Sequence, residues 1–339
     1  MLNLEELIEE YEIPVVQIDD KRKYWLVRTQ SGEYYEQFYF ENFISVGWDE
    51  FNDIEKFKTA DKSVIIKEIE KAYPENKKPG LIYSQIKRFL FELSPGDVVM
   101  IPSPNSTRIS FGIILSDVEI KNISETDIEE GECPFTKRRN VKWLKTIRRA
   151  ELDPYLYKMM HTHLTISNAT EYAEVIDRTL HSFYIKKGTA HLVLEVKQEN
   201  DIPAMDLING INNILDIVPL LKNPQDENVD FNKSDIDLKL RVQSPGVIEF
   251  ISNDVPWAIF GIGIVLTFVV GGTIKGSFTK EKTEVEASSQ GLIEKILKLR
   301  KQKDSHKLKE LDLIRTIESL KLQLPEETKN LPKKDSKED

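Results

Sequence analysis

One stretch constrains this chain more than any other. From Val255 to Ile274, VPWAIFGIGIVLTFVVGGTI, twenty residues run without a charge. A helix needs about 20 apolar residues to cross a hydrocarbon core of about 30 Å, so the run predicts a transmembrane helix. Trp257 would sit at the headgroup level near one end, and Lys275 closes the other. The competing reading is a central helix buried in the core of its own chain. Gly261, Gly263, Gly271 and Gly272 favour the membrane, because glycines weaken a helix in water and let helices approach closely in lipid. The flanking charges, Lys239 and Arg241 before the run and Lys275, Lys280 and Lys282 after it, weakly place the C-terminal side in the cytoplasm.

The rest of the chain reads as ordinary core-forming sequence. It has 339 residues, enough for two domains plus extras, with 40% hydrophobic residues. A net charge of −10 argues against a surface that coats nucleic acid throughout, but leaves room for a local basic site. One cysteine, Cys133, excludes a disulfide framework and a thiolate zinc cluster. The start, MLNLEELIEEYEIP, lacks a basic n-region and an apolar h-region, and so does not read as a signal peptide.

Pattern and punctuation divide the chain into zones. Residues 1–20 predict a short helix with Leu4, Leu7 and Ile8 on one face. Residues 21–185 predict a mixed α/β unit. Its strands are expected at Tyr24–Thr29, Phe43–Trp48, Asp97–Ile101, Ser110–Leu115, Val141–Ile147 and Leu164–Ser167, and its helices at Lys62–Tyr73 and Tyr83–Glu92. Residues 186–252 predict a smaller α+β module, with strands at Ala190–Lys197, Ile236–Val242 and Val247–Ile251 around a helix at Ala204–Leu221. The transmembrane helix over 255–274 follows. A helix over 286–324 then carries a 4-3 seam through Leu292, Ile296, Leu299, Lys303, His306, Glu310, Leu313, Ile317, Leu320 and Leu324. Its polar middle suggests a coiled coil or helical hairpin with a weak centre, or a solvated helix packed on its own chain. Residues 325–339 predict a disordered tail.

Chemistry concentrates between Lys137 and Arg149. Seven of these 13 residues are basic: Lys137, Arg138, Arg139, Lys142, Lys145, Arg148 and Arg149. Across 21–185 the balance is nearly neutral, 24 basic against 25 acidic residues, so the run is a local concentration. Such a patch suits phosphate contacts, which release counterions, although a guarded edge strand can also be basic. Trp143 lies inside the run, and Trp48 ends a strand with Asp49 directly after it. An indole can stack on a base while a neighbouring polar group reads its edge, although a strand tryptophan is often core.

Here the segments Tyr24–Arg28, Ile44–Trp48, Ser94–Val99, Phe111–Ile114 and Arg138–Trp143, in that order, resemble PUA-like domains. The resemblance is to the EVE and YTH branch and to N-terminal domains attached to Mrr-type restriction endonucleases, and it covers Lys21 to about Ile185. It implies a small twisted β-barrel with flanking helices that holds a modified or flipped base in an aromatic pocket. Trp48 matches the pocket tryptophan and Asp49 the next polar position. The loop Pro102–Arg108 matches the place of a second aromatic wall, where this chain has Ser103 and Asn105 to hydrogen-bond a ligand instead. The expected whole is α+β: a PUA-like barrel, a small α+β module, one transmembrane helix and a C-terminal coiled-coil-like helix. The expected role is a bacterial inner-membrane sensor and effector in defence against foreign DNA, a homo-oligomer with its N-terminal domain cytoplasmic, binding nucleic acid or a nucleotide without catalysis. Since one span cannot put both of its sides in the cytoplasm, either the flanking-charge bias loses or the segment is re-entrant or buried.

Two rival classes stay open. A divergent nuclease would use Asp177 with Glu195 and Lys197, which share one strand face in an E-x-K arrangement. A membrane scaffold would use the basic run on anionic lipid. His161, His163, His181 and His191 have no carboxylate or thiol at a recognisable zinc spacing. No phosphate loop, dinucleotide fingerprint or nucleophile elbow is present, and no cofactor is expected.

Overall fold

A computed structural model describes residues 15–198, 200–221, 230–241, 246–274 and 303–323. Of the helix expected over residues 1–20, residues 1–14 lie outside the described residues and Val16–Ile18 form a strand instead. The first part of the C-terminal helix and the tail after 323 also lie outside the described residues. Among those described, the strands run in chain order as β1 (Val16–Ile18), β2 (Tyr24–Val27), β3 (Phe43–Val46), β4 (Val98–Pro102), β5 (Arg108–Ile114), β6 (Glu119–Ile120) and β7 (Lys137–Arg148). They continue as β8 (Ile166–Asn168), β9 (Phe183–Lys186), β10 (Thr189–Val196), β11 (Asp237–Arg241), β12 (Gly246–Ser252) and β13 (Leu322–Gln323).

Residues Lys21–Leu180 make one compact unit. Its sheet runs β3-β7-β5-β4-β2-β8, with β6 also on β7. Pairing is antiparallel except between β2 and β4, which are parallel. All six expected strands are present, and so are helices at Lys62–Ala72 and Pro79–Phe91. Alternation along the strands sends side chains to opposite faces. Tyr24, Leu26, Met100 and Phe111 pack with Leu156, Met159 and Ile176 on one side. Trp25, Val27, Val99 and Ile101 pack with Phe38 and Phe89 on the other. A third cluster joins Phe51 and Phe57 to the two long helices through Ile65, Ile69, Ile82 and Ile86.

Strand β7 organises this unit. Its first residues, Lys137–Asn140, pair with β3, and Val141–Arg148 pair with β5. The register shifts between Phe111 and Gly112. A Cβ on Gly112 would lie 2.5 Å from Val141 and 2.7 Å from Trp143, so the missing side chain is what lets the irregular strands close up. The expected barrel is not closed: β3 and β8 are the two ends of the sheet order, and the unit holds an open sheet among the described residues.

The second unit unites residues before Lys21 with those from His181 onward. Its sheet runs β1-β9-β10-β12-β11, with β13 also on β10. β1 joins β9 in parallel, so Val16–Ile18 completes a sheet whose other strands come after Leu180. One face carries Leu192, Leu194, Ile248 and Phe250 into a core shared with three helices, Ala204–Leu215, Pro256–Ile274 and Lys303–Leu320.

This core overturns the transmembrane expectation. Among the described residues no helix is long and apolar enough to cross a membrane. The uncharged run begins as the Pro256–Ile274 helix, and its Ala258, Ile259, Phe260, Ile262, Val265 and Leu266 are buried against the sheet. Gly261 makes room for that packing. A Cβ on Gly261 would meet Leu221 at 2.5 Å, and Gly263 faces Leu192 and Phe183. The described part of the coiled-coil seam is buried in the same way: Leu313, Ile317 and Leu320 enter this core. Asn213 Nδ2 donates to Thr316 Oγ1 at 2.9 Å, and Gly210 gives Thr316 and Leu320 space to approach.

Candidate nucleic-acid interface

After β3 the chain turns sharply through Gly47–Asn52. Trp48 takes φ +62, the left-handed region that bulky side chains rarely enter. A polar network holds it there. The Trp48 carbonyl accepts from Phe51 N–H at 3.0 Å and from Lys137 Nζ at 3.0 Å. Asp49 Oδ1 accepts from Thr136 N–H at 2.8 Å, Thr136 Oγ1 at 2.6 Å and Lys137 Nζ at 3.2 Å. Lys137 Nζ also donates to Asn52 Oδ1 at 2.8 Å. The Trp48 ring is half-buried against the Phe51 and Phe57 cluster. Asp49 is therefore part of the turn's scaffold through Oδ1.

Burial removes three cations from the expected phosphate patch. Lys137 has a fully buried side chain, and burial pushes its ammonium below the ordinary lysine value while Asp49 opposes the shift. Arg138 donates to the carbonyls of Phe135 and Cys133 at 3.1 and 2.9 Å, meets Glu132 at 3.2 Å and covers the Phe43 ring at 4.0 Å. Arg139 donates to Phe89 and Leu90 carbonyls at 3.0 and 3.1 Å and to Ser116 at 3.0 Å. It thus satisfies the orphan carbonyls where the Pro79–Phe91 helix ends. Burial again lowers its pKa. These three side chains are buried and spend their hydrogen bonds inside the unit.

The later residues of β7 differ. Lys142 is half-buried, and Lys145 donates to the Thr179 carbonyl at 3.0 Å. Trp143 is half-buried, donates its indole N–H to the Phe38 carbonyl at 3.1 Å and stacks on Tyr39 at 5.9 Å. It packs beside the cluster of Trp25 and Phe38, whereas Trp48 packs beside that of Phe51, so the structure does not combine the two indoles into one pocket.

The Pro102–Arg108 loop also separates into roles. Ser103 is buried, accepts from the Arg108 N–H at 2.9 Å and shares a hydrogen bond with Thr107 at 3.0 Å. It closes the turn and is not directed at a ligand. Asn105 is exposed and sits at φ +55. Beyond this turn, Thr107, Arg108, Arg148, Arg149, Ala150 and Tyr157 line an open hollow of about 740 Å³. Arg108 pairs directly opposite Arg148 across the two strands. Sequence reading missed Arg108 and Tyr157. Arg108 is the one basic residue between Arg88 and Lys121, and nothing but strand register brings it to the end of the basic run.

Asp177 belongs to the Lys21–Leu180 unit, is buried and accepts from Tyr24 Oη at 2.5 Å, while Glu195 and Lys197 lie in the other unit and pair with each other at 2.5 Å. His191 meets Glu249 at 2.8 Å and stacks on Tyr184 at 4.4 Å, and the exposed His161 and His163 flank a bend outside any strand. Among the described residues no group of three or more His, Cys, Asp or Glu could hold a metal.

Comparison with known proteins agrees with the unit boundary. A family model described as a domain of unknown function (DUF8426) matches residues 23–170, which takes in all of β2 to β8. No curated protein and no solved structure matches the chain.

Proposed function

We propose that the Lys21–Leu180 unit is a nucleic-acid or nucleotide reader that stacks a base on Trp48. The carrying observation is the Trp48 backbone at φ +62, locked by Lys137, Asp49, Thr136 and Asn52. Such a conformation costs on the order of 1–3 kcal/mol and persists where surrounding structure over-determines it, commonly at ligand sites. The order of segments that resembles PUA-like domains points the same way, with Trp48 at the pocket position. A reader of this kind would work in the cytoplasm, where it meets nucleic acid. A part in defence against foreign DNA rests on the likeness to restriction-associated domains, which is analogy at the level of fold.

Trp48→Ala tests the reading. A stacking wall predicts a loss of roughly 1–3 kcal/mol in base binding with the fold intact. A core tryptophan predicts about 3–5 kcal/mol of lost stability, with binding lost only as folding is lost. Melting temperature and affinity measured on the same variant separate the two, and the second outcome sinks the proposal.

A further inference from the structure

We infer that the hollow bounded by Arg108, Arg148, Arg149 and Tyr157 is a second site, which binds the phosphate of a nucleotide or of a nucleic-acid strand. It lies at the opposite end of β7 from the Trp48 turn. Lys137 contacts that turn and Arg148 borders the hollow, and eleven residue steps of strand span about 35 Å. One nucleotide cannot reach both, so this inference stands independently of the Trp48 reading.

Four observations converge. First, Arg108 and Arg148 are directly opposed in the antiparallel pair β5–β7, an arrangement of like charges that destabilises a sheet. The register brings both arginines to one end of the strand pair, where an anion between them would relieve the repulsion. Second, these guanidiniums differ from their buried neighbours. Arg138 and Arg139 are buried among internal carbonyls, but the Arg148 side chain is 79% exposed and meets one partly exposed acid, Glu151, at 3.9 Å. Third, the wall is pre-positioned. Tyr157 Oη donates to the Arg149 carbonyl at 2.8 Å, and the Arg149 guanidinium lies over its ring at 5.5 Å. The Arg149 N–H in turn donates to the Thr107 carbonyl at 2.9 Å, tying the arginine pair to the turn that carries Arg108. Fourth, the hollow is shallow, open and mostly apolar, so the Tyr157 ring and the arginine stems would meet a sugar or base laid along the surface while the guanidiniums stay at its edge. Arginine forks suit phosphate oxygens, and an aromatic ring suits the base or sugar attached to them.

The test uses the full chain and three probes: AMP, a fluorescein-labelled twelve-residue oligothymidylate, and phosphatidylserine vesicles. The variant is Arg108→Gln with Arg148→Gln. The control, Lys67→Gln with Lys71→Gln, makes the same charge change on the Lys62–Ala72 helix. The expected result is at least a tenfold loss of AMP or oligonucleotide affinity in the arginine variant, a melting temperature unchanged or raised by relief of the charge repulsion, and less than a twofold change in the control. If AMP displaces the oligonucleotide, the site takes a free nucleotide end; if only the strand binds, it takes a phosphodiester. Equal losses in both variants, no binding of either probe by the parent protein, or arginine dependence confined to vesicles would each overturn the inference. Oligonucleotide binding that Trp48→Ala removes and the arginine variant leaves intact would refute this site while preserving the Trp48 reading.

Discussion

Arg139 and Arg148, nine positions apart on one strand, have opposite circumstances. Arg139 donates three hydrogen bonds to carbonyls from a buried position, so Arg139→Ala should cost about 3 kcal/mol or more, since each orphaned buried acceptor costs about 1–3 kcal/mol. Arg148→Ala, at an exposed position, should leave stability within about 0.5 kcal/mol. Chemical denaturation of both variants checks the contrast, and equal losses would contradict the assignment of Arg139 as a helix-end clamp. Cys133 offers a second residue-scale check. It is fully buried, and burial pushes its thiol up to about 11. The thiolate is the reacting form, so alkylation of native protein at pH 8 should be slow and should become fast only on unfolding. Rapid native labelling would show that the site opens. The residue types were legible in the sequence, but the division between clamps and open cations was not, because exposure is set by neighbours distant in sequence.

At the scale of elements, the sequence placed strands and helices well. Period-2 alternation bounded by turn residues located β2, β3, β4, β5, β7 and β8 within a few residues of their observed ends. The short strands β1, β6, β9 and β13 were missed, β1 and β13 falling within stretches expected as helix, since two to four residues carry too little pattern and take their strand form from the strands they pair with. The Pro256–Ile274 helix was found as a helix but assigned the wrong surroundings. Its close contact with Leu221 gives a test. Gly261→Leu would force a side chain into a filled interface and should destabilise the protein by about 1–3 kcal/mol. A neutral or stabilising effect in thermal melts would argue that this helix face is not packed on its own chain. For the C-terminal helix, Leu313, Ile317 and Leu320 carried a legible apolar seam, but a 4-3 pattern does not name its partner, which here is the same chain's core.

At the scale of the whole molecule, the chain divides into two compact units, and each hydrophobic cluster falls wholly within one of them. Residues 21–180 expressed alone should therefore fold cooperatively, with a single melting transition and dispersed amide resonances. A fragment without tertiary structure would mean that its three clusters need the second unit. The sequence by itself determined the order of most of the unit's strands and helices and the concentration of positive charge on one strand. These are local properties: alternation, turn chemistry and composition act over a few residues. Tertiary structure decided which of those charges meet solvent and what covers the uncharged run. Lys137, Arg138 and Arg139 are buried because β3, the Trp48 turn and the end of the Pro79–Phe91 helix close over them, while Arg108 comes from far along the chain to face Arg148. The uncharged helix packs against a sheet because β10 and β12 present an apolar face to it. Apolarity says only that a surface must leave water, and the choice of what replaces the water belongs to residues elsewhere in the fold.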